Sequence, residues 1–568
     1  MVLKSTRRLT PIAARCFLNF NSRNLFKDTL HKLLRYFKSI DLVFFIFLLL
    51  ILNVSIVVKL LAILFIYVLR PNFGFGWTKG RLPRFYFYIL ILFVAQIPLN
   101  YSVWSEKYFF LTGLGLFYWL ASLAIIHQIK LAIETNGTDN VRRALTLFFG
   151  LNSAISFLNI LYIIYSTKVL NPYTFEGMSL KYHISTGDWI TGIIFDFSLT
   201  NSFVSLLGVV YFLYNRNYIM SAVSLIVMLL ATSNANTLLL ILALLFVLLF
   251  NRDKVLKSLS LVFLAIIVVF YARVSPENID YTVKTVNTGE QLKTAVKYPD
   301  TATVKKEVIK RNQKDLLLRY MSLKTKKKDS LVATEFSIEK ESKINSVLQN
   351  IRQSENTKSS KVDELTKTVQ SARHVSLIDF IKKTYGDTTI NCMFYQGRRF
   401  PGKVVSFLET KNYCLSGIRR LTIGSGAGLF SSKLAFKASG VGEFGKYPKN
   451  FTYLSNEFRN NHLKIYGYYF LQTPDKHSVT NNPFSAYNQL MGEYGLVGVF
   501  LFIVFYIWFF VRRFKKLTYG RLLLPICLLF LATDYWFEHL SVLVIFETMM
   551  FLDLASHPDK ELLENNKT

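Results

Sequence analysis

The stretch LVFFIFLLLILNVSIVVKLLAILFIYVL, Leu42–Leu69, decides how this chain is threaded. It runs for 28 residues and is broken only by Asn53, Ser55 and Lys59. One membrane crossing takes about 20 residues and two take about 40, so the block is long for one helix and cramped for two. Its reading fixes the side of everything after it. Five short basic connectors follow: RPNFGFGWTKGRLPR (70–84), KLAIETNGTDNVRR (130–143), NRNY (215–218), NRDKVLK (251–257) and VRRFKKLTYGR (511–521). Short loops rich in Lys and Arg stay in the cytoplasm. All five share that side only if 42–69 crosses an even number of times, so a hairpin bent near Asn53, Ser55 and Lys59 is expected. A single tilted helix would break the charge rule at one connector.

Working outward, the chain is 568 residues long, 52% hydrophobic and 15% aromatic, with mean hydropathy +0.31. Its apolar residues come in blocks of about span length: 42–69, 84–100, 108–129, 144–165, 190–214, 217–232, 236–250, 258–272, 493–511, 521–533 and 536–552. Several are apolar all round, which argues against a soluble protein with one buried core. The expected fold is an all-α polytopic membrane protein of about twelve transmembrane helices, with both termini cytoplasmic and one large extracytoplasmic loop.

The expected order begins with a basic cytoplasmic arm (1–40) carrying nine Lys/Arg against Asp28 alone. Part of it, NLFKDTLHKLLRYFKSI, spaces its apolar residues as a helix would, either on an anionic membrane surface or as a solvated arm. The apolar run begins only after Asp41 and is too long for a signal-peptide core, so no cleavable signal is expected. Transmembrane helices (41–272) follow, then a Lys-rich insertion with helical periodicity and polar links (273–384). An aromatic- and Gly-rich cap (385–492), the last transmembrane helices (493–552) and a cytoplasmic tail (553–568) complete the chain. The long outer segment 273–485 holds 36 Lys/Arg against 19 Asp/Glu, and loops of that length translocate whatever their charge. Cys392 and Cys414 both fall in the cap, where oxidising surroundings permit a disulfide; two free thiols are the alternative.

The sequence holds no Cys/His metal spacing, no P-loop and no dinucleotide fingerprint, so chemistry must come from dispersed groups at the outer face. Arg419 and Arg420 suit a diphosphate. The turn GSGAG (424–428) behind them offers backbone N–H donors for the same purpose. Along GDWITGIIFDFSLTN and SNAN, Asp188, Asp196, Thr200, Asn201, Ser233, Asn234 and Asn236 are polar groups at span ends. An ionised Asp196 there needs a wet or cationic site. In PDKHSVTNNPFSAYNQLMGEYG, His477 and Glu493 are candidate general bases. Ser485, Tyr487, Asn488 and Gln489 add a polar cluster just before the next span. In the last outer turn, TDYWFEHL, Asp534 and Glu538 are expected to share a helical face at i, i+4.

Three of these segments together resemble the O-antigen ligase/polymerase superfamily of bacterial integral-membrane glycosyltransferases. RRLTIGSGAGLF is similar to the basic-then-Gly-x-Gly segment of that family's large periplasmic loop. YNQLMGEYGLVG is similar to the segment that closes it, and ATSNANTLLLIL to a small-polar turn leading into a middle span. The chain departs from the ligase pattern at Phe484, where a His is expected before Ser485, and at Asn234, where Arg is common. The resemblance implies a metal-independent glycosyltransferase in the bacterial inner membrane. Its substrates would be undecaprenyl-diphosphate-linked oligosaccharides and it would need no cofactor; Arg398 and Arg399 would join Arg419 and Arg420 at the diphosphate, and Ser485, Tyr487, Asn488 and Gln489, with Asp196 and Asn234, would bind sugar or acceptor. Membrane lipids and other polysaccharide-assembly proteins are the implied partners, with no nucleic acid. The departures favour a polymerase over a ligase; a flippase or exporter is the reading from a different class.

Overall fold

The computed structural model describes residues 40–52, 56–74, 82–174, 189–195, 198–275, 401–439, 451–463, 465–466 and 479–556. Among these the regular structure is helical, with no strand. The opening block folds as two helices, α1 (Leu42–Ile51) and α2 (Ile56–Leu69). Asp41 caps α1 by accepting from the Phe44 N–H at 2.9 Å, and the same carboxylate holds the Arg70 guanidinium at 2.6 Å. Arg70 directly follows α2, so the two ends of the block meet and the chain leaves on the side it entered. Asn53 and Ser55 lie outside the described residues; Lys59 sits within α2. At 10 and 14 residues the two helices are about 15 and 21 Å long, so the hairpin is shallower than two full spans.

Beyond the hairpin the helices run to and fro. They are α3 (Phe85–Leu99), α4 (Glu106–Asn136), α5 (Thr138–Thr167), α6 (Ser198–Tyr214), α7 (Tyr218–Leu230), α8 (Asn234–Phe250) and α9 (Lys254–Val269, prolonged to Val274). In the described part of the cap follow α10 (Gly402–Leu415), α11 (Ile418–Ile423) and α12 (Lys433–Ala438), with a further helical turn at Asn456–Phe458 that continues through Arg459–Leu463. The chain then returns through α13 (Ala486–Phe502, prolonged to Val511), α14 (Gly520–Phe530) and α15 (Leu540–Ala555). Among the described residues four helices, Glu106–Asn136, Thr138–Thr167, Lys254–Val274 and Ala486–Val511, are long and apolar enough to cross a membrane, and shorter apolar helices accompany them.

Side-chain bonds sort the connections to two ends. At one end Asn136 reaches Asp41, and Arg142 donates to Ser556 at 2.6 Å. Asp553 accepts from Thr518 and Gly520, and Arg216 pairs with Asp253 at 3.3 Å. With the Tyr211 ring against Tyr519 at 5.1 Å, the described parts of the five basic connectors thus fall at one end. At the other end Tyr173 donates to the Leu230 carbonyl at 2.6 Å, and Asn171 to Val274 at 2.9 Å. Arg419 of the cap reaches Asn100 at 2.6 Å.

Several expected boundaries move. The block 190–214 is not one span, because α6 begins at Ser198 and Gly192–Ile194 forms a separate 3-10 turn. Asn152, Asn159 and Asn201 stitch that turn to the bundle: Asn152 accepts from Ile193 N–H, Asn159 from Gly192 N–H, and Asn201 donates to the Ile190 carbonyl. The helix expected from 493 begins at Ala486, capped by Ser485, whose hydroxyl accepts from Tyr487 N–H at 3.2 Å. The residues read as loop chemistry therefore belong to its first turns. The last outer turn covers 531–539, and Asp534 and Glu538 share no helix.

Gly495 interrupts α13 at φ 64°, ψ −163°. A Cβ there would meet the Thr422 carbonyl carbon at 2.5 Å, because α11 crosses α13 backbone to backbone. Gly424, at φ 74°, faces the Glu493 backbone in the same crossing. Glycine is required at both places by conformation and by space. Gly495→Ala is therefore expected to destabilise the protein by more than the roughly 1–3 kcal/mol of a residue held in that sparsely populated conformation alone, seen as a lower thermal midpoint in detergent. Gly150→Ala, in α5 with open space around it, should leave the midpoint level or raise it, as measured by differential scanning fluorimetry.

Candidate functional site

Where the cap meets α13 and the turn before α15, ionisable groups are enclosed together. Glu493, one turn before the crossing with α11 ends, is fully buried; its Oε1 accepts from the N–H groups of Phe430 at 3.4 Å and Ser431 at 3.2 Å, and its Oε2 makes no hydrogen bond. Glu538 accepts from Leu434 N–H at 3.0 Å and from Gln489 Nε2 at 3.1 Å. Two carboxylates thus grip the segment 430–434 from either side. Burial pushes Glu538 up to about 7, against the pull of the Leu434 N–H and the Lys433 charge.

Two lysines enter the same region. Lys433 places its Nζ 2.9 and 3.1 Å from the ring nitrogens of His539, which in turn lies 3.8 Å from Asp534. Lys403, at the start of α10, donates to the carbonyls of Phe484, Ala532 (3.1 Å) and Thr533 (3.0 Å). Its ammonium closes the C-terminal end of α14, where a helix presents bare carbonyls. Enclosure lowers Lys403 to about 7, with Asp534 pulling the other way.

His462 completes the group. Its Nε2 lies 3.2 Å from Thr410 Oγ1 and its Nδ1 3.3 Å from Ser431 Oγ, which meets Tyr535 OH at 2.7 Å. Burial first, and the Lys403 charge second, push His462 down to about 3. Phe484, at the position where the ligase pattern has His, packs its ring against Phe436, Tyr535 and Tyr466 at 4.8, 5.2 and 5.8 Å. That place is an aromatic box. The polar centre lies beside it, built from other segments.

No protein-family model matches the chain. Neither a curated protein nor a solved structure matches it.

The residues singled out from the sequence separate into three sets. Arg419 and Arg420 are exposed at the rim; Arg419 donates to Asn100, while Arg420 donates to Ser416 at 2.8 Å and lies over the Tyr413 ring at 5.0 Å. Gly424–Gly428 behind them does not present a free nest. Ser425 N–H donates to Gly492 O and Gly426 N–H to Glu493 O, both at 2.9 Å, so these donors bind α13. The anion that the following loop holds is the carboxylate of Glu493.

The second set turns inward. Tyr487 donates to Leu528 O at 2.6 Å, Asn488 to Ser406 at 3.0 Å and Gln489 to Glu538, while Ser485 caps the helix. These four are the expected sugar or acceptor ligands, and the bonds they make join α13 to α10, α14 and the last outer turn. The reason is packing: sequence shows the polar run but not the helices that fold against it. Of these four side chains, Asn488 Oδ1 and Gln489 Oε1 are left without a hydrogen bond. Asn234 opens α8, half-buried, and its neighbour Asn236 is the buried one, donating to Leu199 O at 3.0 Å. Cys414 is a free, buried thiol donating to Met491 O at 3.6 Å.

The third set, His477, Arg398, Arg399, Asp188, Asp196 and Cys392, lies outside the described residues. Conversely, Lys403, Lys433 and His462 carried no sequence signal beyond their side-chain type.

The pH dependence of stability follows from His462. Below its ordinary 6.5 the unfolded chain binds a proton that the folded chain refuses, so this group's contribution falls as pH drops from 6.5 toward 3. Glu538 acts oppositely: between 4.5 and about 7 the folded chain holds the extra proton, so its contribution falls as pH rises. Comparing His462→Gln with the parent isolates the first effect. The variant is expected to lose less thermal midpoint between about pH 6.5 and about pH 4, and an identical loss in both proteins would remove the neutral buried imidazole.

Proposed function

We propose that this chain is a polymerase-like glycosyltransferase of the bacterial inner membrane. It joins undecaprenyl-diphosphate-linked oligosaccharide repeat units into a surface polysaccharide at the outer face. The observation that carries the reading is the enclosed acid–base group under the cap, at the end of the bundle opposite the basic connectors, with Arg419 and Arg420 exposed at its rim. The gathering of the basic connectors supports a cytoplasmic placement of that end. Among the described residues, the hairpin and the ten helices that follow it outside the cap support a polytopic helical plan, which we read as about twelve membrane helices with a large extracytoplasmic loop.

In the reaction, an acceptor hydroxyl attacks the anomeric carbon of the donor and the bond to the lipid diphosphate breaks. The hydroxyl proton passes to a base, for which His477 is the first choice. The departing diphosphate gains charge, which Arg419 and Arg420, with Arg398 and Arg399, are suited to hold. Glu493 is assigned a positioning role, since its carboxylate already fixes the loop that follows these arginines.

The test is the glycan profile of a deletion strain. Single repeat units reaching the outer face with loss of long chains support a polymerase. An intact ladder no longer joined to its final acceptor would move the assignment to a ligase, and units trapped inside would move it to a flippase. Arg420→Ala and His477→Ala are each expected to shorten the chains at unchanged protein level; unchanged profiles for both would remove this site.

A further inference from the structure

Helix α10 buries Val405, Ser406, Thr410, Tyr413 and Cys414 toward the protein. Its opposite face carries Val404, Phe407, Lys411 and Leu415, which fall on one stripe at helical spacing. Among the described residues that face is open, with Leu415 63% exposed and Ile418, at the start of α11, 83% exposed. A helix facing water would carry mostly polar residues there, whereas the exposed residues here are apolar apart from Lys411 and, at the edge, Asn412. Lys411 lies within the stripe and Arg419 and Arg420 at its end, all exposed.

The stripe continues onto surfaces of the membrane helices. Arg419 reaches Asn100, and the chain after Asn100 exposes Tyr101 and Trp104, the aromatic pair expected where a span meets headgroups. On the other side α11 crosses α13 at Gly495, immediately before the exposed Leu496, Phe500 and Ile503.

We infer that α10 and α11 lie in the outer leaflet of the membrane, with Val404, Phe407, Leu415 and Ile418 among the acyl chains and Lys411 against lipid phosphates. The occupant of the stripe is the bilayer itself. Long basic side chains reach from such a depth to the headgroups, and an apolar face with basic flanks is the pattern of an interfacial helix. The inference does not depend on glycosyl transfer. It makes the cap a membrane-embedded collar rather than a domain standing in water.

The experiment uses the full chain in vesicles of phosphatidylethanolamine and phosphatidylglycerol, with nitroxides on single cysteines at Val404, Phe407, Leu415 and Ile418. Cys16 and Cys392 are replaced by Ser; Cys414 and Cys527 are buried and stay. Phe500 supplies the lipid reference and the exposed cap residue Asn460 the water reference. Collision with oxygen is expected to exceed collision with a water-soluble nickel chelate at all four stripe positions, as at Phe500, with the order reversed at Asn460. In vesicles with phosphatidylglycerol, Lys411→Glu is expected to shift the Leu415 label toward water. Nickel exceeding oxygen at Leu415 and Ile418 would overturn the inference. So would protection from both reagents, which would show that another part of this chain covers the stripe.

Discussion

The contact on which the cap depends is the crossing of α11 and α13. Two glycines let the backbones touch, and the Ser425 and Gly426 N–H groups then donate to Gly492 and Glu493 carbonyls that the kink at Gly495 has released. Gln96 of α3 donates to the same Glu493 carbonyl at 2.7 Å and to that of Ile423. One side chain thus joins a membrane helix to both partners of the crossing. In an apolar setting a free carbonyl is costly, so the kink and the cap loop stabilise each other.

From this joint the rest of the site follows. The Glu493 carboxylate, carried on the kinked segment, fixes Phe430 and Ser431; Glu538 fixes Leu434 three residues on. Ser431 passes the constraint to His462 and Tyr535, and Lys403 ties the start of α10 to the ends of two other segments. Buried ionisable groups are retained only where each is met by a partner, and here most partners come from distant stretches of chain.

The sequence makes the helical class legible because hydrophobic blocks of span length have few other uses. It also makes the opening hairpin legible, since the charge of five connectors depends on its parity, and the Asp41–Arg70 pair agrees. Tyr487, Asn488 and Gln489 show where that reading stops. A polar run at a helix start looks the same whether it faces a ligand or another helix, and only the fold shows Ser406, Leu528 and Glu538 waiting for it. Lys403 is the converse case: a single lysine in a cap gives no hint that three carbonyls converge on it.

The bond from Gln96 to Glu493 joins residues 397 apart in sequence. At about 5–20 residues per second, a ribosome needs on the order of tens of seconds to travel between them. Trp119 waits almost as long for the Tyr494 hydroxyl, 375 residues on, which it meets at 2.6 Å. During that interval Gln96 and Trp119, on two apolar helices, carry polar groups whose partners have not been made. The first half of the protein therefore cannot complete its packing until the second half emerges, and a chain cut short before residue 490 would leave those groups without these partners.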